Sequence, residues 1–266
     1  MHPIEQLRYV ARASGADASL LVQESASALG FFANDSAGLL TAARRLLSRQ
    51  PGIGPLWDLA ARMATATDPR AAARDAILGH RDDPTPREVA GAIGDGARVV
   101  IVGWPDQTVS GLLRRGDVEV LAVDVDGQAR SVVHRFDRAD VLAESIDPER
   151  IAGAIGASDL VIIEAVAVGE AAAIVETGSF TAAAVARATA TPIWLVSGRG
   201  RHLPEAYFQC IVERTTDPDL PEWLAPTEVI GLGMVDRVVT EHGVQLVAEL
   251  PSSTTPLATE LLRPVK

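Results

Sequence analysis

The sequence of 266 residues predicts an α/β fold in which an N-terminal helical domain, residues 1–96, precedes an open parallel-sheet domain, residues 97–266. Three observations support this prediction. The first part of the chain shows apolar residues at helical spacing and no strand signal. The second part contains short apolar runs of strand length. Segments of helix length separate those runs, and this alternation is typical of an open α/β sheet.

Residues 1–96 are expected to form five or six helices. Apolar residues share one helical face within 39–47 and again within 56–63. Ser36 and Asp68-Pro69 mark helix starts, and Thr85-Pro86-Arg87-Glu88 has the pattern of a capping box with proline in the first turn. A break falls at 50–52, and Gly94-Asp95-Gly96 is the expected junction with the sheet domain.

The sheet domain is predicted from five apolar runs and a later β unit. The runs are 99–103, 118–124, 140–144, 159–166 and 192–197, and the β unit is 235–244. Asp147-Pro148 begins a helix that leads to the fourth run. His134, within SVVHRF, is expected to be a strand residue rather than a catalyst. The segment 215–226 is rich in Pro and Asp and is expected to be a surface loop.

Composition excludes several classes of protein. No apolar run approaches the roughly 18 residues that a membrane span requires. Cys210 is the only cysteine, so no disulfide can form within the chain, and the N-terminus lacks the layout of a secretory signal. We therefore expect a cytoplasmic protein that does not associate with membranes. The net charge of −11 argues against direct binding to nucleic acid.

Ligands in open α/β sheets bind beyond the carboxyl ends of the strands, so the residues after each run are the candidates for function. Asp106 and Glu164 are the weak candidates for acid–base catalysis. The sequence Gly198-Arg199-Gly200-Arg201 follows a predicted strand. It could hold an anion through backbone N–H groups and guanidinium groups, or it could be a solvated basic loop.

No cofactor or metal is expected. The turn WPDQTVSG lacks the Gly-x-Gly-x-x-Gly pattern that the pyrophosphate of NAD or FAD requires. The histidines and the single cysteine do not have the spacing of metal ligands. A Ser-His-Asp hydrolase is not indicated either, because no nucleophile elbow is present.

Three stretches together resemble the family of translation initiation factor 2B alpha, beta and delta subunits, which includes methylthioribose-1-phosphate and ribose-1,5-bisphosphate isomerases. The stretches are AARRLLSRQPGIGPLWDLA (42–60), the segment 159–197, and MVDRVVTEHGV (234–244). The resemblance covers most of the chain. It implies a helical domain followed by a Rossmann-like α/β domain, in agreement with the periodicity.

The resemblance also implies where a catalytic site should lie. The isomerases use a cysteine after the first strand, and that position falls on Trp104. Their aspartate falls on Ala165 or Val166, one or two positions from Glu164. An indole has no titratable proton and cannot act as the acid or base.

Two positions that carry phosphate-binding cations in the family carry acids here. An arginine after the second strand matches Asp126, and an asparagine-lysine pair matches Val175-Glu176. Gly178-Ser179 matches a Gly-Thr pair, and Arg201 matches a lysine. The candidate ligand-binding residues are therefore Trp104, Asp126, Gly178, Ser179, Gly198, Arg199 and Arg201.

Two functions remain open from the sequence. In the first, the protein lacks isomerase activity and binds a protein partner or a small anionic effector; the resemblance implies a homodimer that assembles through the sheet domain. In the second, it is an isomerase or another enzyme acting on a phosphorylated sugar or nucleotide metabolite. That enzyme would use Glu164 or Asp106 as base and Arg199 with Arg201 to hold the phosphate.

Overall fold

A computed structural model describes residues 18–125 and 127–264, and it begins with a helical region. Its helices are α1 (Ala18–Leu29), α2 (Ser36–Arg49), α3 (Gly54–Thr65), α4 (Pro69–Arg81) and α5 (Thr85–Ala92). Asp68 caps α4 as predicted, because its carboxylate accepts hydrogen bonds from the backbone N–H groups of Arg70 and Ala71. The cap of α2 is Asp35, one residue before the predicted Ser36.

The predicted capping box at Thr85 does not form. The Thr85 hydroxyl donates instead to Asp83 Oδ1 at 2.6 Å, and the Thr85 backbone N–H donates to the same oxygen at 2.9 Å. Pro84 is the residue that precedes α5. Asp83 therefore takes the capping role, which follows from the ability of Asp to bond to the backbone two residues further along.

The second region is an α/β sheet. Its strands are β1 (Arg98–Val102), β2 (Glu119–Val123), β3 (Leu142–Ile146), β4 (Leu160–Val168), β5 (Ala172–Glu176), β6 (Ile193–Val196), β7 (Thr227–Gly231), β8 (Arg237–Thr240) and β9 (Gly243–Leu246). Its helices are α6 (Asp106–Arg115), α7 (Ala129–Asp137), α8 (Ile151–Gly156), α9 (Ser179–Thr189) and α10 (Glu205–Thr215).

The sheet has the order β3-β2-β1-β4-β6-β8-β9. The pairs from β3 to β8 are parallel, and β9 closes an antiparallel hairpin with β8. The chain moves from β1 outward to β2 and β3, and then returns to β4 on the other side of β1. The carboxyl ends of β1 and β4 therefore flank a topological switch point, where open α/β sheets form ligand crevices.

Two strands, β5 and β7, were not expected from the sequence. β4 pairs with β5 in antiparallel register after an irregularity between Ala165 and Ala167, and β5 pairs with β7, also antiparallel. The sheet is thus mixed rather than purely parallel. The stretch after Asp159 is a hairpin followed by a helix, because β4 extends beyond its pairing with β6 and the chain reverses at Gly169, whose N–H donates to the Ala172 carbonyl oxygen.

Two boundaries in the middle of the sheet domain also differ from the prediction. The third strand is Leu142–Ile146 instead of 140–144, and His134 lies in helix α7 rather than in a strand. The β-branched Val132 and Val133 favour a strand locally, but Ala129, Val132 and Phe136 are buried at helical spacing. Tertiary packing of that face against the sheet decides the outcome.

Both faces of the parallel sheet are buried. Val100 and Val161 point to one apolar cluster, while their neighbours Ile101 and Ile162 point to the other. This burial explains why β1, β2 and β6 are nearly continuous apolar runs. A third cluster joins helices α1 to α4 with α10 and the end of β4. None of the helices that the structure describes has the length and apolar character that a membrane crossing requires.

Trp57 in α3 is central to the contact between the helical region and α10. Its side chain is fully buried, and its Nε1–H donates to the carbonyl oxygen of Pro51 at 2.9 Å. Its ring centroid lies 5.4 Å from that of Tyr207, and the Arg214 guanidinium lies 5.0 Å from the indole. These contacts combine apolar burial with aromatic and cation–π attraction.

We expect Trp57→Ala to lower the free energy of unfolding by about 3–5 kcal/mol, because it removes a large buried ring and leaves a cavity. Leu142→Ala is the matched control, since Leu142 is 73% exposed and should change stability by about 0.5 kcal/mol or less. Urea denaturation followed by circular dichroism measures both. Equal stability of the two variants would contradict this account of the packing.

Candidate functional site

A cleft of about 180 Å³ lies at the switch point between β1 and β4. Residues of the helical region close its opposite side. The residues that line it are Ala18, Gly52, Ile53, Pro55, Val102, Trp104, Pro105, Asp106, Glu164, Val166, Glu176, Ser179 and Arg201. Five of the residues that the sequence singled out, Trp104, Asp106, Glu164, Ser179 and Arg201, therefore meet in one place.

Glu164 in β4 occupies the N-terminus of helix α6. Its Oε2 accepts hydrogen bonds from the backbone N–H groups of Gln107 and Thr108, each at 3.0 Å, and from the Thr108 hydroxyl at 3.1 Å. The residue before α6 is Pro105, which supplies no side-chain cap. Glu164 thus satisfies two N–H groups that a helix N-terminus leaves open, and it places a negative charge at the positive end of the helix dipole.

The other carboxylate oxygen of Glu164 pairs with Arg201. Glu164 Oε1 lies 2.8 Å from Arg201 Nη2, and the two side chains are only 7% and 9% exposed. Arg201 also donates to the carbonyl oxygen of Ala165. The loop that carries Arg201 is fixed along β4, because Val168 N–H donates to the Arg201 carbonyl oxygen at 2.7 Å. Arg201 is therefore a buried, paired cation.

Trp104 is half-buried beside two further carboxylates. Its indole N–H donates to Asp106 Oδ1 at 2.6 Å, and its backbone N–H donates to Glu176 Oε2 at 3.3 Å. Gly103 has a positive φ of 62° and lies so close to Glu176 that a Cβ would fall 2.1 Å from Oε2. The turn after β1 therefore requires glycine. The indole narrows the cleft without filling it, since the space described above remains beside it.

Gly178 and Ser179, which the sequence also singled out, lie at or next to this cleft. Gly178 has a positive φ of 91° and precedes α9, so it brings the buried Ser179 to the cleft wall. A Cβ on Gly178 would approach Val125 Cγ2 to 2.9 Å. Asp126 lies outside the described residues.

Gly198 and Arg199 line a second cavity, which has a volume of about 570 Å³. It lies between helices α3 and α4 and the carboxyl ends of β6 and β8. The structure therefore separates Arg199 from Arg201, although the sequence places them two residues apart. Gly198 packs against the side chain of Gln107, whose Oε1 would be 2.3 Å from a Cβ at that position.

Sequence reasoning missed Asp83, which organises the border between the two cavities. Its carboxylate accepts hydrogen bonds from Thr85, from Gln107 Nε2 at 2.9 Å and from the Arg199 backbone N–H at 3.0 Å. Burial opposes the charge of Asp83, but the hydrogen bonds from Thr85, Gln107 and Arg199 together outweigh it and lower the pKa of this carboxyl. No sequence motif marks Asp83, because two of its partners, Gln107 and Arg199, come from distant segments of the chain.

His80 was missed for a similar reason. It is 6% exposed and lines the second cavity, and burial lowers the pKa of its imidazole, so the neutral form prevails at pH 7. Burial likewise raises the pKa of the Cys210 thiol, which makes that cysteine an unreactive packing residue. Within the described part of the chain, no group of three or more His, Cys, Asp or Glu side chains could hold a metal ion.

The charged side chains that line the cleft are mainly carboxylates, and the guanidinium among them forms an ion pair with one of these acids. Glu164, Asp106 and Glu176 bring three carboxylates to its wall, and the one guanidinium among its lining residues, that of Arg201, is paired with Glu164. The anion-binding capacity of the α6 N-terminus is occupied by Glu164 itself. Such a wall favours neutral or cationic groups over phosphate.

No protein-family profile and no curated protein sequence matches this chain. Solved structures do match it. The translation initiation factor eIF-2B of Pyrococcus horikoshii OT3 shares 13% identity, with a TM-score of 0.76 over 92% of this chain and 96% of that one. The tetrameric eIF2B-beta2-delta2 complex of Chaetomium thermophilum contains a chain with 15% identity and a TM-score of 0.69, over 92% of this chain and 91% of that one.

The 5-methylthioribose 1-phosphate isomerase of Pyrococcus horikoshii OT3 also matches, with 13% identity and a TM-score of 0.64 over 92% of this chain and 84% of that one. The three matches confirm the predicted fold class and confirm the resemblance at the level of the fold. At these identities they do not carry over an activity, so the function has to be argued from the residues of the cleft.

We expect Glu164→Gln to lower the free energy of unfolding by about 3–5 kcal/mol, because it leaves the buried Arg201 without a counterion. The double variant Glu164→Gln/Arg201→Gln should lose less than the sum of the two single variants, since the charges depend on each other. Urea denaturation of the four proteins gives the coupling energy. Additive effects would show that the ion pair between Glu164 and Arg201 does not contribute to stability. Glu149→Gln, at an exposed position, is the control.

Proposed function

We propose that this chain is a divergent relative of the eIF2B subunits and of methylthioribose 1-phosphate isomerase that lacks isomerase activity, and that it is a cytoplasmic regulatory protein that binds a partner. The observation that carries this proposal is the position of Glu164. Its carboxylate occupies the α6 N-terminus and neutralises Arg201, the cation that would otherwise be available to a phosphate.

Electrostatics support this conclusion. A phosphate ester brings about two negative charges at neutral pH. Each unit charge about 4 Å from a carboxylate costs on the order of 4 kcal/mol at an effective dielectric constant of about 20. Asp106 and Glu176 line the cleft beside the neutralised Glu164–Arg201 pair, so a sugar phosphate would meet these two carboxylates without a free cation to offset them.

Trp104 and Glu164 are also unsuitable for proton transfer. Trp104 stands where the resemblance implies the cysteine of the isomerases, and its indole neither donates nor accepts a proton in catalysis. Glu164 Oε2 already accepts three hydrogen bonds, while Oε1 is in the ion pair with Arg201. Ala165 and Val166 carry no functional group at the position implied for the aspartate.

The alternative, an enzyme that acts on a phosphorylated metabolite, requires Arg199 and Arg201 to hold one phosphate together. The two side chains line different cavities. Asp83 fixes the backbone of Arg199 on the side of the second cavity, and the buried ion pair with Glu164 fixes the guanidinium of Arg201 at the cleft. This separation favours the partner-binding function.

We further propose a homodimer that forms through an apolar edge patch of the sheet region. The edge patch consists of large apolar side chains that are 46–80% exposed, namely Phe180, Leu220, Trp223, Leu224 and Val229. Hydrogen bonds from Thr177 to Ala225 and Pro226 and from Phe180 N–H to Glu228 join the segments that carry them. Among the described strands β7 pairs with β5 alone, so its outer edge is open.

We expect the purified protein not to convert 5-methylthioribose 1-phosphate or ribose 1,5-bisphosphate, because the cleft lacks the thiol and a free cation. Turnover is followed by phosphorus NMR at millimolar substrate, with the Pyrococcus horikoshii isomerase as the positive control for the first compound. Conversion of either compound by the purified protein would overturn the proposal.

We expect Trp223→Glu to weaken self-association at least tenfold, because it places a charge in the centre of the edge patch. Leu142→Glu is the matched control, since Leu142 is 73% exposed on β3, a terminal strand that lies on the other side of β1 from β4, β5 and β7. Sedimentation velocity across a concentration series measures both variants. A monomeric wild type, or a Trp223→Glu variant that dimerises as well as the wild type, would contradict this interface.

A further inference from the structure

The second cavity has the features of a ligand site that is separate from the cleft. Its volume of about 570 Å³ lies within the range of about 300–1,000 Å³ that is typical of sites for small organic molecules. Helices α3 and α4 form one wall and the turns after β6 and β8 form the other. The segment 250–256 contributes a third side.

The side chains of Arg199, His80 and Ser197 on its wall lack partners within the described residues. Arg199 makes no ion pair there, and its Nε is buried without a hydrogen bond. The His80 ring, in a residue only 6% exposed, makes no hydrogen bond to a described residue, and neither does the hydroxyl of Ser197, which is 3% exposed. A buried polar atom such as Arg199 Nε normally has a hydrogen-bond partner.

The position of Arg199 is built into the fold. Gly79 lies under its side chain, and a Cβ at that position would be 2.6 Å from Arg199 Nη1 and 3.2 Å from Cζ. Asp83 holds the Arg199 backbone N–H at 3.0 Å. The Arg199 backbone is therefore fixed beside the cavity, and its guanidinium lies in the space that the missing side chain of Gly79 leaves open.

The acidic residues of the cavity divide into two sets. Asp58 is already committed, because it accepts hydrogen bonds from Arg62 Nε at 2.8 Å and from the Thr255 hydroxyl at 2.5 Å. Asp75 and Glu241 also line the cavity, and no ion pair or hydrogen bond of the described chain involves their carboxylates. A ligand that bears only negative charge would meet these two acids, whereas hydroxyl or amino groups would donate hydrogen bonds to them.

We infer that this cavity binds a small organic molecule that carries one oxyanion group, a phosphate or a carboxylate, together with several hydroxyl or amino groups. The oxyanion pairs with the Arg199 guanidinium and accepts hydrogen bonds from His80 and Ser197. The hydrogen-bond donors of the ligand face Asp75 and Glu241. The inference is independent of the proposed function, because it concerns neither the cleft nor the edge patch.

Isothermal titration calorimetry of the full chain tests the inference with four probes: ribose 5-phosphate, adenosine monophosphate, gluconate and inorganic phosphate. At least one organic probe should bind, and comparison of the phosphate probes with gluconate identifies the oxyanion. Arg199→Gln should weaken that binding at least tenfold, because it removes a charge-assisted hydrogen bond. Arg70→Gln removes the same charge at an exposed site near the start of α4 and should leave the affinity unchanged.

Gly79→Ala and His80→Asn provide second variants if Arg199→Gln does not fold, and each should also weaken binding at least threefold. Failure of all four probes to bind the wild type would overturn the inference. So would equal affinity of the wild type and the variants, or binding of inorganic phosphate as tight as that of the best organic probe. These outcomes are distinct from those of the turnover assay, which reports on the cleft.

Discussion

The carboxylate of Glu164 is the constraint on which the arrangement of the cleft depends. It joins three elements that are distant in sequence: strand β4, the N-terminus of α6, and the loop that carries Arg201. An acid buried between a helix N-terminus and a guanidinium is stable only because both partners are present. In many parallel α/β sheets, the N-terminus of a helix at the switch point binds an anionic ligand. Here the N–H groups at the α6 N-terminus and the Arg201 guanidinium already bind the Glu164 carboxylate.

The loop after β6 then determines how the remaining positive charge is distributed. Gly200 has a positive φ of 74°, and a Cβ there would lie 3.3 Å from Asp58 Cβ and from Pro55 Cα. The loop turns at this residue, close against the helical region, and Arg199 and Arg201 line different cavities. Arg201 is buried in an ion pair with Glu164, whereas Arg199 stays available to a ligand in the second cavity.

Much of the fold could be predicted from the sequence, because short apolar runs such as 99–102 and 160–163, separated by segments of helix length, are typical of strands buried on both faces. The antiparallel strands β5 and β7 could not, since their pairing depends on the irregularity in β4 after Ala165. In the cleft, the expectation that ligands bind beyond the carboxyl ends of the strands identified Glu164 and Arg201, but it did not predict their ion pair. His80 and Asp83 carry no motif, and their roles arise only from packing between the two regions of the chain.

The contact between Gly79 and Arg199 joins positions 120 residues apart, and it limits how either one can vary during evolution. A side chain at position 79 would occupy the space of the Arg199 guanidinium. A shorter residue at position 199 would leave the space next to Gly79 empty. The two positions should therefore change together among close homologues. Sequence covariation between them would separate lineages that keep the arginine from lineages that have abandoned it.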